Sequence, residues 1–218
     1  MKEAIENYWR LKLAACREAL ERNNFEAHVA ADSDEARRIV LETILPQLAV
    51  KQISWGDSIT LHATGVLEAL RQMPALEIVA TFDPAATRDE IMARRRQALA
   101  SDLFFAGSNA VTEAGQLVNL DMIGNRVGGI TFGPQYVILF VGRNKIVPDL
   151  EQAMQRIKQI AAPANAIRHP KLKTPCQKTG YCMDCASPDR ICNTWTITEK
   201  AFPKHRVKIV LINADLGF

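Results

Sequence analysis

The chain has 218 residues, 48% hydrophobic and 23% charged, with a net charge of +3 at pH 7. That is enough apolar material for one α/β domain, and so small a charge on scattered basic residues excludes a nucleic-acid footprint. No apolar stretch approaches the ~20 residues that cross a bilayer, and the opening MKEAIENYWRLKL reads as a charged amphipathic helix, not a signal peptide, so the expected location is cytoplasmic with no membrane partner.

Ile5, Trp9, Leu13, Cys16 and Leu20 share one helical face over residues 3–22, which makes Cys16 a packed small side chain. Asn23-Asn24 ends that helix and residues 25–30 read as a short strand. Asp32 and Glu35 have capping-box spacing, which predicts a helix to about residue 48. A strand entering the Trp55-Gly56-Asp57-Ser58 turn follows, then a helix over 65–73 and a strand over 76–81. Thr87 and Glu90 open a second capped helix, to about residue 100, whose Arg94-Arg95-Arg96 run reads as a solvated face rather than an anion site.

The most informative stretch is 104–147. A strand over 103–106 breaks into Gly107-Ser108-Asn109. A turn with Glu113-Ala114-Gly115 and an extended run to Leu120 come next. A loop over 121–133 carries Asp121, Asn125, Arg126 and several glycines, and an apolar strand over 136–142 closes the block. Small and polar residues at the ends of buried strands are where α/β proteins build ligand sites. After Pro148, the residues Leu150, Ala153, Met154, Ile157, Ile160 and Ala161 form an amphipathic helix that Pro163 is expected to stop. Residues 165–198 are polar and Cys-rich, and 206–213 read as a last strand buried on both faces. The alternation predicts an α/β fold: a single domain over 1–218 with a mostly parallel sheet, helices on both faces, and a Cys-rich insertion before the last strand.

Four of the five cysteines crowd into the pattern Cys176-x5-Cys182-x2-Cys185-x6-Cys192. In a cytosolic chain such crowding points to metal more than to disulfides. The expected cofactor is a [4Fe–4S] cluster, with zinc as the alternative and disulfides or free thiols as the third reading. Lys171, Lys173, Lys178 and Arg190 would offset thiolate charge. Glu113 is the candidate for chemistry, as general base or nucleophile, against a loop-bracing role. Ser58, Ser108 and Asn109 are candidate donors to a carboxylate or phosphate. Asp121, Asn125 and Arg126 are candidates for binding its anionic group, Arg126 through its bidentate fork, and Lys145 is a further anion contact. His28, His62, His169 and His205 share no spacing that suggests catalysis; His169 and His205 flank the Cys loop as alternative ligands. Hydrolase-elbow, Walker and dinucleotide motifs are absent from the sequence.

Trp55-Gly56-Asp57-Ser58 with Thr60-Leu61 and Gly65, the run Asn109–Val118, Gly124–Val127, the segment Gly142–Val147 and the terminal Asp-Leu-Gly-Phe together resemble the LUD (lactate-utilisation, formerly DUF162) domain family over nearly the whole chain. The resemblance implies a fold like that of ribose-5-phosphate isomerase, glucosamine-6-phosphate deaminase and CoA-transferases. It also implies a link to lactate use through an iron–sulfur and flavin oxidase complex. The leading expectation is an iron–sulfur accessory or electron-transfer subunit of 2-hydroxy-acid metabolism, with a small carboxylate or phosphate ligand, a redox partner subunit and self-association as partners. The alternative is a zinc- or disulfide-stapled transferase or isomerase using Glu113.

Overall fold

The computed structural model describes residues 2–218, Lys2 by its backbone only. Its centre is a six-stranded sheet made of β1 (Glu26–Ala30), β2 (Gln52–Trp55), β3 (Glu77–Val79), β4 (Leu103–Gly107), β7 (Tyr136–Gly142) and β10 (Val207–Ile212). The order is β1-β10-β7-β4-β2-β3 and every pairing is parallel. Unbroken apolar runs such as YVILFVG and VKIVLI suit strands covered on both faces. The pleat divides β7 between two cores. Val137, Leu139 and Val141 pack with Leu13, Cys16 and Leu20 of α1 (Lys2–Arg22). Ile138 and Phe140 pack on the other face with Val40, Ile44, Leu61, Leu67 and Leu70. The latter come from α2 (Ser33–Arg38) with its π-helical extension Ile39–Ile44, and from α3 (Ile59–Ala63) and α4 (Val66–Leu70).

A second, four-stranded sheet is not foreshadowed in the sequence. It contains β5 (Ala110–Thr112), β6 (Leu117–Asp121), β8 (Ile146–Val147) and β9 (Thr194–Thr198), in the order β8-β5-β6-β9. β6 is the extended run to Leu120, whereas β8 and β5, of two and three residues, carry too little alternation to be read. Its inner face packs Ala110, Val118 and Leu120 against Ala153 and Ile157, the latter two from α7 (Leu150–Arg156) and the π-helical turn that follows it. The chain leaves the central sheet for the second one twice. β4 ends at Gly107 and β5 starts at Ala110; β7 ends at Gly142 and β8 starts at Ile146.

Several local expectations need correction. Residues 121–133 are not a loop throughout: Asn125–Thr131 forms α6, despite Gly128 and Gly129. Gly129 lies so close to the Phe104 ring that a Cβ would fall 2.9 Å from it, so close packing rather than a turn demands this glycine. Pro163 does not stop its helix. A π-helical turn (Ile157–Ala161) leads into α8 (Ala162–Ile167), and Pro163 sits in the first turn of α8, where an N–H is not needed. The Cys-rich stretch contains one helical turn, α9 (Cys176–Thr179), and ends in β9, which pairs antiparallel with β6. At Asp32 the box is displaced by one residue: Asp32 accepts from Glu35 N, while Glu35 reaches back to Ala31 N. The Thr87–Glu90 box ahead of α5 (Arg88–Gln97) is complete. Among the described residues no helix is long and apolar enough to cross a membrane.

Gly128 and Gly129 make opposite predictions. Gly129→Ala is expected to destabilise the fold by about 1–3 kcal/mol through overpacking on Phe104. At Gly128 a Cβ meets Leu99 only at 3.7 Å, an ordinary contact. Gly128→Ala is therefore expected to be neutral or to stabilise by up to about 1 kcal/mol through helix propensity. Urea denaturation of the two variants checks both.

Candidate functional site

A cavity of about 540 Å³ opens at the carboxyl ends of the central strands, where parallel sheets hold their ligands. After β2 come Asp57 and Ser58, after β4 Ser108 and Asn109, after β7 Lys145, and after β10 Gly217. The cavity thus sits where the chain crosses from one sheet to the other. All seven expected ligand-binding residues line it: Ser58, Ser108, Asn109, Asp121, Asn125, Arg126 and Lys145. Arg168, His169 and Lys171, at and beyond the end of α8, form the opposite wall with Ile191 of the Cys loop.

Glu113 lies elsewhere. It is in the turn between β5 and β6, half exposed, and its carboxylate pairs with Lys12 of α1. The same turn presses Gly115 against the α1 backbone, where a Cβ would be 2.7 Å from the Ala19 carbonyl carbon. Glu113 docks α1 onto the second sheet and does not reach the cavity. Behind it, the Cys16 thiol is pushed up to about 12, first by burial and then by the Glu113 charge. That thiol is inert packing.

Arg126 is not a free fork either. Nε donates to Asp121 Oδ2 at 3.1 Å, Nη1 to Gly107 O at 3.0 Å and Asn119 Oδ1 at 2.7 Å, and Nη2 to Asn109 Oδ1 at 2.8 Å and Leu120 O at 3.0 Å. All five donors of a guanidinium are thereby engaged. Burial pulls its pKa down while Asp121 pushes back. Asp121 is equally committed, accepting from Gly124 N at 2.9 Å and Ile123 N at 3.3 Å as well as from Arg126. Arg156 makes a second clamp, donating to Asn144 O at 3.0 Å and Asn109 O at 2.8 Å. Neither Arg156 nor Asn119 is foreshadowed as important. A polar Asn inside the run Leu117-Val118-Asn119-Leu120 was the available signal, because a polar group in a buried strand needs partners.

What remains for a ligand is the other polar groups. Lys145 is 5% exposed, and its amine makes one hydrogen bond, to Thr60 Oγ1 at 2.8 Å. Burial, then Arg156 and Arg126, lower its pKa to about 7 from the ordinary 10.5. Between those two values the unfolded chain binds a proton that the folded chain does not, so this group favours folding increasingly as pH rises. Ser58 Oγ caps α3 by accepting from Leu61 N at 3.2 Å, and Ser108 donates to Ala110 O at 2.9 Å. Asn125 faces the cavity from the start of α6. Arg168 pairs with Asp57, yet its Nε is buried without a partner. Arg95, from the run read as a solvated face, also lines the cavity, stacked over Phe82 with its own Nε unpartnered. Since Asp57 and Asp121 already pair with arginines, the remaining charge on the wall is positive and suits an anion.

The Cys loop forms the adjoining wall. Cys176, Cys182, Cys185 and Cys192 all line one small hollow of about 20 Å³, and none is in a disulfide. Asp184 N donates to Cys182 Sγ at 3.4 Å, and Arg190 clamps the loop through Cys185 O at 2.8 Å and Cys192 O at 2.9 Å. Of the four cations expected there, Arg190 interacts with a thiol-bearing residue, its pKa raised by hydrogen bonding to Cys192. Lys158 supplies a second. Partial burial pulls it down, but Asp184, Cys182 and Cys192 raise it overall. Asn193 ties the loop to the cavity rim through Asp121 O and Met122 O. Among the described residues, no three His, Cys, Asp or Glu side chains converge as ligands of one ion; the thiols share the hollow without closing on a point. Ala162 and Ile191 line both the hollow and the larger cavity.

The family model described as the LUD domain matches residues 13–212. Among solved structures, a crystal structure of a DUF162 family protein from Deinococcus radiodurans is similar with a TM-score of 0.53 at 10% identity, covering 94% of this chain and 98% of that one. At that identity the likeness is one of fold. A search of curated proteins gave no match.

The two arginine and carboxylate roles separate experimentally. Arg126→Gln is expected to destabilise the protein by about 3–5 kcal/mol, since it strips partners from buried acceptors and a buried carboxylate. Glu113→Gln is expected to lower stability by at most about 1 kcal/mol, as for other exposed pairs, and to leave anion binding in the cavity unchanged. Chemical denaturation and calorimetry read both.

Proposed function

The chain belongs to the LUD-domain family, and from that premise we propose that it is an electron-transfer accessory protein of 2-hydroxy-acid metabolism. It binds a small carboxylate such as lactate in the Lys145 cavity, beside a [4Fe–4S] site formed by Cys176, Cys182, Cys185 and Cys192. The observation that carries this reading is the shared wall: Ala162 and Ile191 face the thiols on one side and the ligand cavity on the other. The donor chemistry is that of such a group, four thiols on one hollow with the cations Arg190 and Lys158 beside them, and the thiols would draw together to hold it. Bound there, a cluster would supply one-electron transfer at the cavity wall.

The chain's own residues hold the acid. The Lys145 ammonium faces the carboxylate, and the positive wall of Arg95 and Lys171 draws anions in. Oxidation of a 2-hydroxy acid to a 2-oxo acid releases two electrons and two protons. A flavin takes up both electrons and both protons on reduction, so Lys145 stays the counter-ion of the carboxylate. The electrons leave for a flavin-bearing redox partner subunit, the kind of complex the family resemblance implies. Glu113 has no part in this reading, because its carboxylate is on α1's side of the second sheet.

Protein purified without oxygen is expected to carry about four iron and four sulfide per chain and to bleach with dithionite. One zinc and a colourless protein, or no metal, overturns the redox part of the reading. Calorimetry with lactate tests the cavity. Affinity is expected to fall as pH rises through about 7, where Lys145 loses its charge, and to be lost in Lys145→Met. An affinity unaffected by both pH and the substitution overturns the carboxylate part.

A further inference from the structure

We propose that Lys145 is a carbonyl-reactive amine that condenses with a 2-oxo acid in the cavity to form an imine. Lys145 lines the cavity, and among the described residues the one hydrogen bond of its Nζ is to the Thr60 hydroxyl, at 2.8 Å. Among the described residues no carboxylate pairs with it. The charged groups that act on it are Arg156, from α7, and Arg126, from α6, both bonded to other acceptors. An amine buried between two guanidinium groups is held towards its neutral form, as the pKa of about 7 reflects. The neutral form is the nucleophile. Gly217 crosses directly over this pair: a Cβ there would be 2.6 Å from Thr60 Oγ1 and 3.2 Å from Lys145 Nζ. A side chain at that position would crowd the amine, whereas glycine leaves it room beside the hydroxyl.

The chemistry closes on itself. Nζ bonds to the carbonyl carbon while the C=O π pair moves to oxygen, and a proton from nitrogen ends on that oxygen. The Thr60 hydroxyl, which accepts from Nζ at 2.8 Å and donates to Leu216 O at 3.0 Å, positions the amine. The carbinolamine then loses water as the C–O bond breaks and the nitrogen pair forms C=N. One water leaves and no oxidant or reductant is needed. The 2-carboxylate of the ligand is met by the cations Arg95 and Lys171 on the cavity wall. The inference rests on the cavity accepting small carboxylates and is independent of what the Cys loop holds.

The test is reductive trapping of the full-length protein with sodium cyanoborohydride and either pyruvate or 2-oxoglutarate, followed by peptide mass spectrometry. The Lys145 peptide is expected to be labelled on the order of tenfold faster than that of the exposed Lys178, and faster still as pH rises through about 7. Thr60→Val, which keeps the lysine, is expected to slow the labelling, and Lys145→Arg to abolish it at that site. Labelling of Lys145 no faster than of Lys178 with either acid overturns the proposal. Lactate calorimetry in parallel separates the two readings. Lactate binding without labelling removes the imine and leaves the proposed function standing, whereas labelling without lactate binding does the reverse.

Discussion

Everything about the site depends on the Arg126 guanidinium having five acceptors. Those acceptors come from the end of β4, from the crossing that follows it, and from β6. Remove the cation, and carbonyls of Gly107 and Leu120 are left buried and unpaired at a place where two sheets change over. Arg156 extends the same logic to the second crossing, joining Asn109 to Asn144. These two side chains are scaffold. Their charges nonetheless have a chemical effect: burial is the larger cause of the lowered Lys145 pKa, and the two guanidinium groups add to it by making a third positive charge there unfavourable. A structural requirement for cations thereby leaves a lysine poised near neutral pH.

The Cys loop connects to this frame through ordinary hydrogen bonds. Asn193 bonds to the Asp121 and Met122 carbonyls, Gln177 to those of Ala166 and His169, and Lys173 N to Asp189. The loop is therefore anchored to both rims of the cavity by protein contacts alone. Ile191, between Arg190 and Cys192, transmits its position to the ligand space. A cavity and a hollow that share Ala162 and Ile191 as a wall can influence one another without any long pathway.

Much of the architecture was legible in the sequence. The strands 136–142 and 206–213 announce themselves as unbroken apolar runs, and the Thr87–Glu90 box marks its helix. The site was legible as a neighbourhood: seven residues chosen as small or polar groups beside strand ends do surround one cavity. Their individual tasks were not. Arg126 reads in sequence as a fork awaiting an anion, because nothing local shows that its acceptors lie on β4 and β6. Glu113 looks catalytic beside a glycine, yet that glycine is needed for contact with α1. α6 was hidden because Gly128-Gly129 resembles a turn, while the pressure that requires Gly129 comes from Phe104, 25 positions away in the chain. Lys145 could be named but not ranked, since its lowered pKa comes from burial and from arginines that the sequence does not place near it.

The strand order has a consequence for how the molecule is assembled. β1 has no partner in the sheet except β10, and the pairing joins Glu26 to Lys208 and Ala30 to Ile212. While the chain is being synthesised, β1 emerges early and must wait for almost the whole sequence before it can be seated. Until then its backbone groups, and the flank of β7 that β10 will cover, are open sheet edges of the kind that pair with the wrong partner. Closure over so many intervening residues is also slow. The residue that roofs Lys145, Gly217, follows β10. The cavity is thus among the last features to form, and a nascent chain cannot engage its ligand before the sheet is complete.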